Sequence, residues 1–210
     1  MLCLENLTLE NNIEVIFKNL NVTFLPGSLA IIQGANGSGK TCLLRMITGR
    51  IRPTSGKISW NNINIDKDIG AFNSNISYIG HNNSLKLEQT TLENLDFWCK
   101  FRGSEKLLVP AITCFRLEHI LNATVGSLSA GWQRRVELAK LLLCDTSLWL
   151  LDEPEINLDA EAKGLLLGII ESKIRSGCIV VIASHHFNNI NYANYLNIED
   201  FKNGQMVVDC

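Results

Sequence analysis

Gly34-Ala35-Asn36-Gly37-Ser38-Gly39-Lys40-Thr41 places two glycines five residues apart and closes on a lysine and a hydroxyl. A glycine-rich loop of this kind turns successive backbone N–H groups inward onto phosphate oxygens, and a helix starting at its end adds partial positive charge. Lys40 has the length to reach the β- and γ-phosphates of a nucleoside triphosphate, and Thr41 offers its hydroxyl to magnesium. The spacing predicts a phosphate-binding loop. It leaves the reaction open, because small-molecule kinases, GTPases and helicases cradle phosphates in the same way.

Leu148-Trp149-Leu150-Leu151-Asp152-Glu153-Pro154 is an apolar strand that delivers two carboxylates at its C-terminal end, where ligands collect in parallel α/β sheets. Asp152 suits the magnesium shell, and Glu153 suits polarising a water for in-line attack on a γ-phosphate. Upstream, Leu128-Ser129-Ala130-Gly131-Trp132-Gln133-Arg134-Arg135 reads as a helix start. There the Ser129 hydroxyl, the amides around Gly131 and the helix dipole are suited to hold a phosphate together. Ser184-His185 ends another apolar strand and presents a hydrogen-bond donor; His186 competes with it, and the strand-end spacing favours His185.

These groups need a scaffold, and the chain supplies strands alternating with helices. Leu29 to Ile32 is a short apolar strand after a Pro26-Gly27 turn, and a helix follows the loop from about Lys40 to Thr48. Ser147 to Leu151 and Cys178 to Ala183 read as buried strands, with helices from Ser129 to about Cys144 and from Leu158 to Ser176. Ahead of them, Leu2 to Leu9 and Asn21 to Leu25 read as antiparallel strands. Gly56 to Trp60 and Ile63 to Ile65 form a hairpin across Asn61-Asn62. From Thr91 to about Leu121 apolar residues recur at helical spacing, divided by Gly103, and Asn203-Gly204 marks a hairpin between Tyr195–Ile198 and Met206–Val208. The expectation is a single α/β domain over 1–210 with a helical subdomain at about 91–145.

With 19 basic and 21 acidic residues the net charge is -2, so no overall positive field draws in nucleic acid. The seven cysteines are scattered without a Cys-x-x-Cys pair and read as reduced thiols in a cytosol-like compartment. No apolar run has the roughly 20 residues of a membrane span, and Met1 to Leu9 lacks a signal-peptide pattern, so membrane association is expected through another subunit.

In chain order, the phosphate-binding loop, the Leu128 to Arg135 segment and the Leu148 to Pro154 strand resemble the P-loop, signature and Walker B sequences of the ABC ATPase family. The resemblance implies a P-loop NTPase fold of the ABC ATPase type, with a mixed sheet core, an N-terminal antiparallel β layer and a helical subdomain. It implies ATP and Mg2+ as ligands and a second copy of the chain facing the first. Ser129 and Gly131 then hold the γ-phosphate of ATP bound to the other copy, and His185 becomes the switch histidine that contacts the γ-phosphate. Asp159 matches the end of the family's D-loop and implies a contact to the partner's P-loop; it equally suits the first turn of the following helix. Where the family carries a glutamine that touches magnesium, Ile79-Gly80-His81 places a histidine, so His81 stands at that position. At the signature, Ala130 and Trp132 depart from the usual residues. Asn11-Asn12 occupies the place of the usual adenine-stacking aromatic, with Phe17 some way on.

Tyr78-Ile79-Gly80-His81, Thr91-Leu92-Glu93-Asn94-Leu95 and Gln133-Arg134-Arg135 are most similar to the bacterial cytochrome c maturation, or haem exporter, ATP-binding family. That resemblance implies a separate integral membrane permease, further cytochrome c maturation proteins as partners, and a place on the cytoplasmic face of a bacterial inner membrane or an organellar equivalent. The chain has no haem ligand set of its own. Alternatives are the ATPase of a different ABC exporter or lipoprotein-release system, a soluble ABC-type regulatory protein that uses ATP as a switch, and a P-loop kinase. The kinase has no use for a signature helix.

Overall fold

The computed structural model describes residues 1–10, 14–188, 190–202 and 207–209, the last three as backbone alone. Among the described residues ten strands run in chain order: β1 (Leu2–Glu10), β2 (Val15–Phe24), β3 (Leu29–Gln33), β4 (Ser55–Trp60), β5 (Ile63–Asn64), β6 (Ile76–Ile79), β7 (Leu148–Asp152), β8 (Ile179–Ala183), β9 (Ala193–Asn197) and β10 (Val207–Asp209). The α-helices described among them are α1 (Lys40–Ile47), α2 (Ile69–Asn73), α3 (Thr91–Arg102), α4 (Leu108–Cys114), α5 (Ala130–Ala139) and α6 (Ala160–Arg175). The chain divides into two compact units, one of 1–78, 146–152 and 173–210, the other of 79–145 and 153–172.

The first unit holds two sheets, ordered β10-β2-β1-β4-β5 and β6-β7-β8-β3-β9. In the second of these, β7–β8, β8–β3 and β3–β9 all pair in parallel. Strands β7 and β8 are buried along their whole length, which is why they read as continuous apolar runs and not as alternating ones. Alternate residues such as Leu148, Leu150, Ala30, Ile32, Ile179 and Val181 join α1 and the inward leucines of β1 in one hydrophobic core. The other sheet is antiparallel across β2, β1, β4 and β5, and β10 adds a parallel edge to β2, so the mixing of strand directions lies here.

Local chemistry accounts for several boundaries. The β4–β5 hairpin turns on Asn61 and Asn62 at φ 48 and 67, the left-handed pair that asparagine tolerates best after glycine. In β1 the inward leucines step from Leu4 to Leu7, because the pairing with β2 shifts register there and Asn6 takes φ 49. Strand β2 starts at Val15, earlier than the Asn21 expected, since Val15-Ile16-Phe17 pairs with the end of β1. Phe17 is fully buried in the core and presents no ring to solvent. Asn11 and Asn12 lie outside the described residues.

The expected hairpin at the end of the chain is not formed. Strand β9 lies beside β3, and β10 lies beside β2 in the other sheet. Between them a 3-10 turn at Ile198–Phe201 sinks Ile198 and Phe201 into the core, which carries the chain from one sheet to the other. Asn203 and Gly204, taken as the hairpin turn, lie outside the described residues.

The second unit contains α3, α4 and α5 together with most of α6. Helix α3 opens on a capping box between Thr90 and Glu93 and ends on Gly103 in the left-handed conformation, the divide foreseen from sequence. The six described cysteines are free thiols. Among the described residues no helix is long and apolar enough to cross a membrane.

Trp149 fixes the middle of β7. It is fully buried, and its Nε1 donates to Thr146 Oγ1 at 3.1 Å, which in turn lies 2.7 Å from Ser77 Oγ. Replacing Trp149 with alanine empties the largest fully buried side chain of the first unit, and the expected loss is about 3–5 kcal/mol in urea unfolding; a loss below ~1 kcal/mol contradicts this packing.

Candidate functional site

The parallel register puts three strand ends in one row. Ile32 of β3 pairs with Ala183 of β8, and Ala183 pairs with Asp152 of β7. Whatever follows β3, β7 and β8 therefore leaves the same edge of the sheet: the glycine-rich loop after Gln33, Asp152 itself, and Ser184-His185.

At that edge the loop closes over the start of α1. Gly39 stands before the helix at φ 104, and no side chain caps the helix, so its first backbone N–H groups face outward for an anion. Gly34 and Gly37 also have positive φ. A Cβ on Gly34 would stand 2.6 Å from Ser38 Oγ, so the cradle is shaped by the missing side chain. Ser38 Oγ is buried without a hydrogen-bond partner among the described residues. An orphaned hydroxyl beside uncapped helix amides is what a phosphate group would satisfy.

Lys40 folds back over the loop, donating from Nζ to the carbonyls of Gly34 at 2.7 Å and Ala35 at 3.0 Å. It also lies 2.8 Å from His185 Nε2. Asn36 Oδ1 stands 2.9 Å from the same nitrogen. His186 instead donates its backbone N–H to Ser184 Oγ. Thr41 Oγ1 donates to the Asp152 carboxylate, at 2.9 and 3.1 Å from its two oxygens. Burial and then the Asp152 charge push the nearby Tyr78 phenol above its usual range. Residues 34–41, Asp152 and His185 thus share one site of the first unit, at the ends of three different strands.

The remaining candidates lie in the second unit. Glu153 directly follows Asp152 and takes φ 46, a left-handed conformation uncommon outside glycine and asparagine. Its Oε2 is 3.3 Å from His81 Nδ1, and the His81 ring is otherwise open to solvent. Ser129 is the N-cap of α5, accepting the Trp132 N–H on Oγ at 3.4 Å. A Cβ at Gly131 would fall 2.8 Å from the Asn157 carbonyl, so only glycine lets α5 approach the turn after Glu153 this closely. The Trp132 ring is occupied within its own chain, edge-on to His119 and under the Arg135 guanidinium. Asp159 accepts the Ala162 N–H at 2.8 Å and both of its oxygens lie 2.8 Å from Arg135 Nη2. The helix-start bond, then the arginine, hold its carboxyl below the usual range.

Sequence reasoning gave Arg134 no role. Its guanidinium is almost fully buried and donates to Gly80 O, Asn83 Oδ1, Glu153 O and Pro154 O. These acceptors lie far apart in the chain and three of them are backbone carbonyls, so no residue-type signal announces them. The His81–Glu153 pair is equally hidden, since the two residues stand in separate motifs.

Residues 17–155 match the family described as ABC transporter. The chain is 47% identical over 180 residues to the cytochrome c biogenesis ATP-binding export protein CcmA of Rickettsia felis, covering 86% of this chain and 91% of that protein. It is 42% identical to the protein of the same name from Wolbachia pipientis, covering 88% and 89%. Among solved structures it matches a dimeric post-hydrolysis state of the ATP-binding cassette MJ0796, bound to ADP and Pi, with TM-score 0.81, 26% identity and 94% of each chain covered. The chain therefore belongs to the ABC transporter ATP-binding family, among the cytochrome c biogenesis ATP-binding export proteins.

Proposed function

We propose that the chain is the ATP-binding and ATP-hydrolysing subunit of a membrane ABC transporter complex that serves cytochrome c maturation as a haem exporter. The observation that carries the reading is the Thr41–Asp152 hydrogen bond at the mouth of the glycine-rich loop. It brings a hydroxyl and a carboxylate, the two protein oxygens that a nucleotide-bound Mg2+ requires, next to a cradle with an orphaned hydroxyl. The relatives named above support the export system over most of the chain's length.

In this reading the backbone from Gly34 through Ala35, Asn36, Gly37, Ser38 and Gly39 holds the phosphates, and Lys40 leaves the Gly34 and Ala35 carbonyls to meet the β- and γ-phosphate oxygens. Thr41 and Asp152 hold Mg2+, which neutralises charge on those oxygens when bound. His185, released from Lys40, contacts the γ-phosphate, and Glu153 takes the proton of the attacking water. His81 stands at the position of the family's magnesium-linked glutamine.

Two copies face each other, as in the dimeric cassette structure. Ser129 and Gly131 of one copy hold the γ-phosphate of ATP seated on the other, and Asp159 contacts the other copy's loop. The whole chain 1–210 acts as one ATPase domain, with the helical subdomain at about 91–145 meeting an integral membrane permease on the cytoplasmic face of a bacterial inner membrane. Further cytochrome c maturation proteins join the complex. On α3 the rings of Phe97 and Phe101 stack at 6.3 Å, and Phe101 is 68% exposed, an aromatic surface suited to a permease loop.

Replacing Glu153 with glutamine keeps ATP binding, lowers phosphate release about 10²–10⁴-fold and accumulates an ATP-bound dimer in size exclusion. An unchanged release rate removes Glu153 from its role. Phe101→Asp is expected to leave the basal ATPase rate of the isolated chain intact while the permease no longer co-purifies with it. Undiminished co-purification places the docking surface elsewhere.

A further inference from the structure

Arg134 sits on α5, the helix that Ser129 caps, and grips two segments that are remote in sequence. Its Nη1 donates to Gly80 O at 3.0 Å and Asn83 Oδ1 at 3.3 Å, on the loop that carries His81. Nη2 donates to Glu153 O at 2.8 Å and Nε to Pro154 O at 3.2 Å, on the turn that carries the carboxylate. We propose that Arg134 is a positioning residue for hydrolysis: its guanidinium fixes Glu153 in its left-handed conformation and sets the spacing between Glu153 and His81 from the signature helix.

Three physical points support this. First, the four acceptors named above lie on two segments remote in sequence, so one side chain ties both to α5. What the guanidinium adds is geometry, because its planar fork aligns several carbonyls at once, as a lysine cannot. Second, the backbone it grips at Glu153 is the one at φ 46, a conformation that persists only where surrounding contacts hold it. Third, the same helix pins the same loop again one turn on: Glu137, itself buried, accepts from Ser84 N at 3.1 Å and Ser84 Oγ at 2.9 Å, and Lys140 closes the network 3.0 Å from Glu137. The segment 80–84 and the turn 153–154 are thereby held to one helix. A shift of that helix moves both, so whatever binds at Ser129 biases the base through Arg134.

This rests on the reading of Glu153 as the base, and the experiment separates the two. ATPase kinetics are measured for the full chain carrying Arg134→Lys, Arg134→Gln or Asn83→Ala, beside Glu153→Gln, with rates referred to nucleotide-competent protein by active-site titration. A positioning role predicts that kcat falls tenfold or more in Arg134→Gln, with KM and ATP affinity nearly unchanged, and that Arg134→Lys restores thermal stability without restoring kcat. It also predicts that adding His81→Ala to Arg134→Gln costs little beyond the single change, because both act through the same pair. If Arg134→Gln does not fold, Arg134→Lys and Asn83→Ala carry the test. Wild-type kcat per competent molecule in the Arg134 variants, with Glu153→Gln inactive, overturns the proposal while leaving the base in place; an active Glu153→Gln overturns the base assignment and the proposal with it.

Discussion

The first unit depends on the parallel register that levels Ile32, Ala183 and Asp152 across three strands. A parallel sheet buried on both faces requires long apolar strands, and its ladder leaves their carboxyl ends flush. Side chains from three distant stretches of sequence then meet without any of them having to reach. Lys40, Thr41, Asp152 and His185 meet for this reason. Slipping β7 by one residue would turn Asp152 away from Thr41 and direct Leu148 and Leu150 out of the core they now share with α1. Fold stability and the geometry of the Thr41–Asp152 pair are thus the same constraint.

The polar groups of the second unit are organised differently. There α5 presents Arg134, Arg135 and Glu137, and its C-cap Lys140, as anchor points for loops. Burial pushes the Lys140 ammonium below its usual range, with Glu137 opposing that shift, and its Nζ also lies 4.4 Å from the Trp98 ring centre. Such groups are expensive to bury singly and are held here by partners that each satisfy part of the cost. The result is a set of loops whose positions follow a helix.

The parts legible in sequence were those with a local physical signature. Glycines at fixed spacing before Lys40, an apolar run ending in Asp152, Gly103 dividing a helical stretch and Asn61-Asn62 between two short strands each announce a backbone conformation. The site contacts that stayed hidden are those made across the chain to backbone oxygens, above all those of Arg134, whose acceptors could be any residue type. The pairing of His81 with Glu153 was hidden for the same reason, since only the fold brings the two segments together. The end of the chain misled because Asn-Gly between two short apolar runs signals a hairpin locally, whereas buried Ile198 and Phe201 divert the chain to the other sheet. Local turn chemistry lost there to core packing.

The central claim is that two copies of this chain enclose ATP and hydrolyse it. The most direct measurement is phosphate release by the purified chain across a range of protein concentrations, with saturating ATP and magnesium and no membrane subunit present. A shared site predicts that the rate per chain rises with concentration toward a plateau and falls to background when magnesium is chelated. A rate per chain that is independent of concentration, or no phosphate release at any concentration, contradicts it.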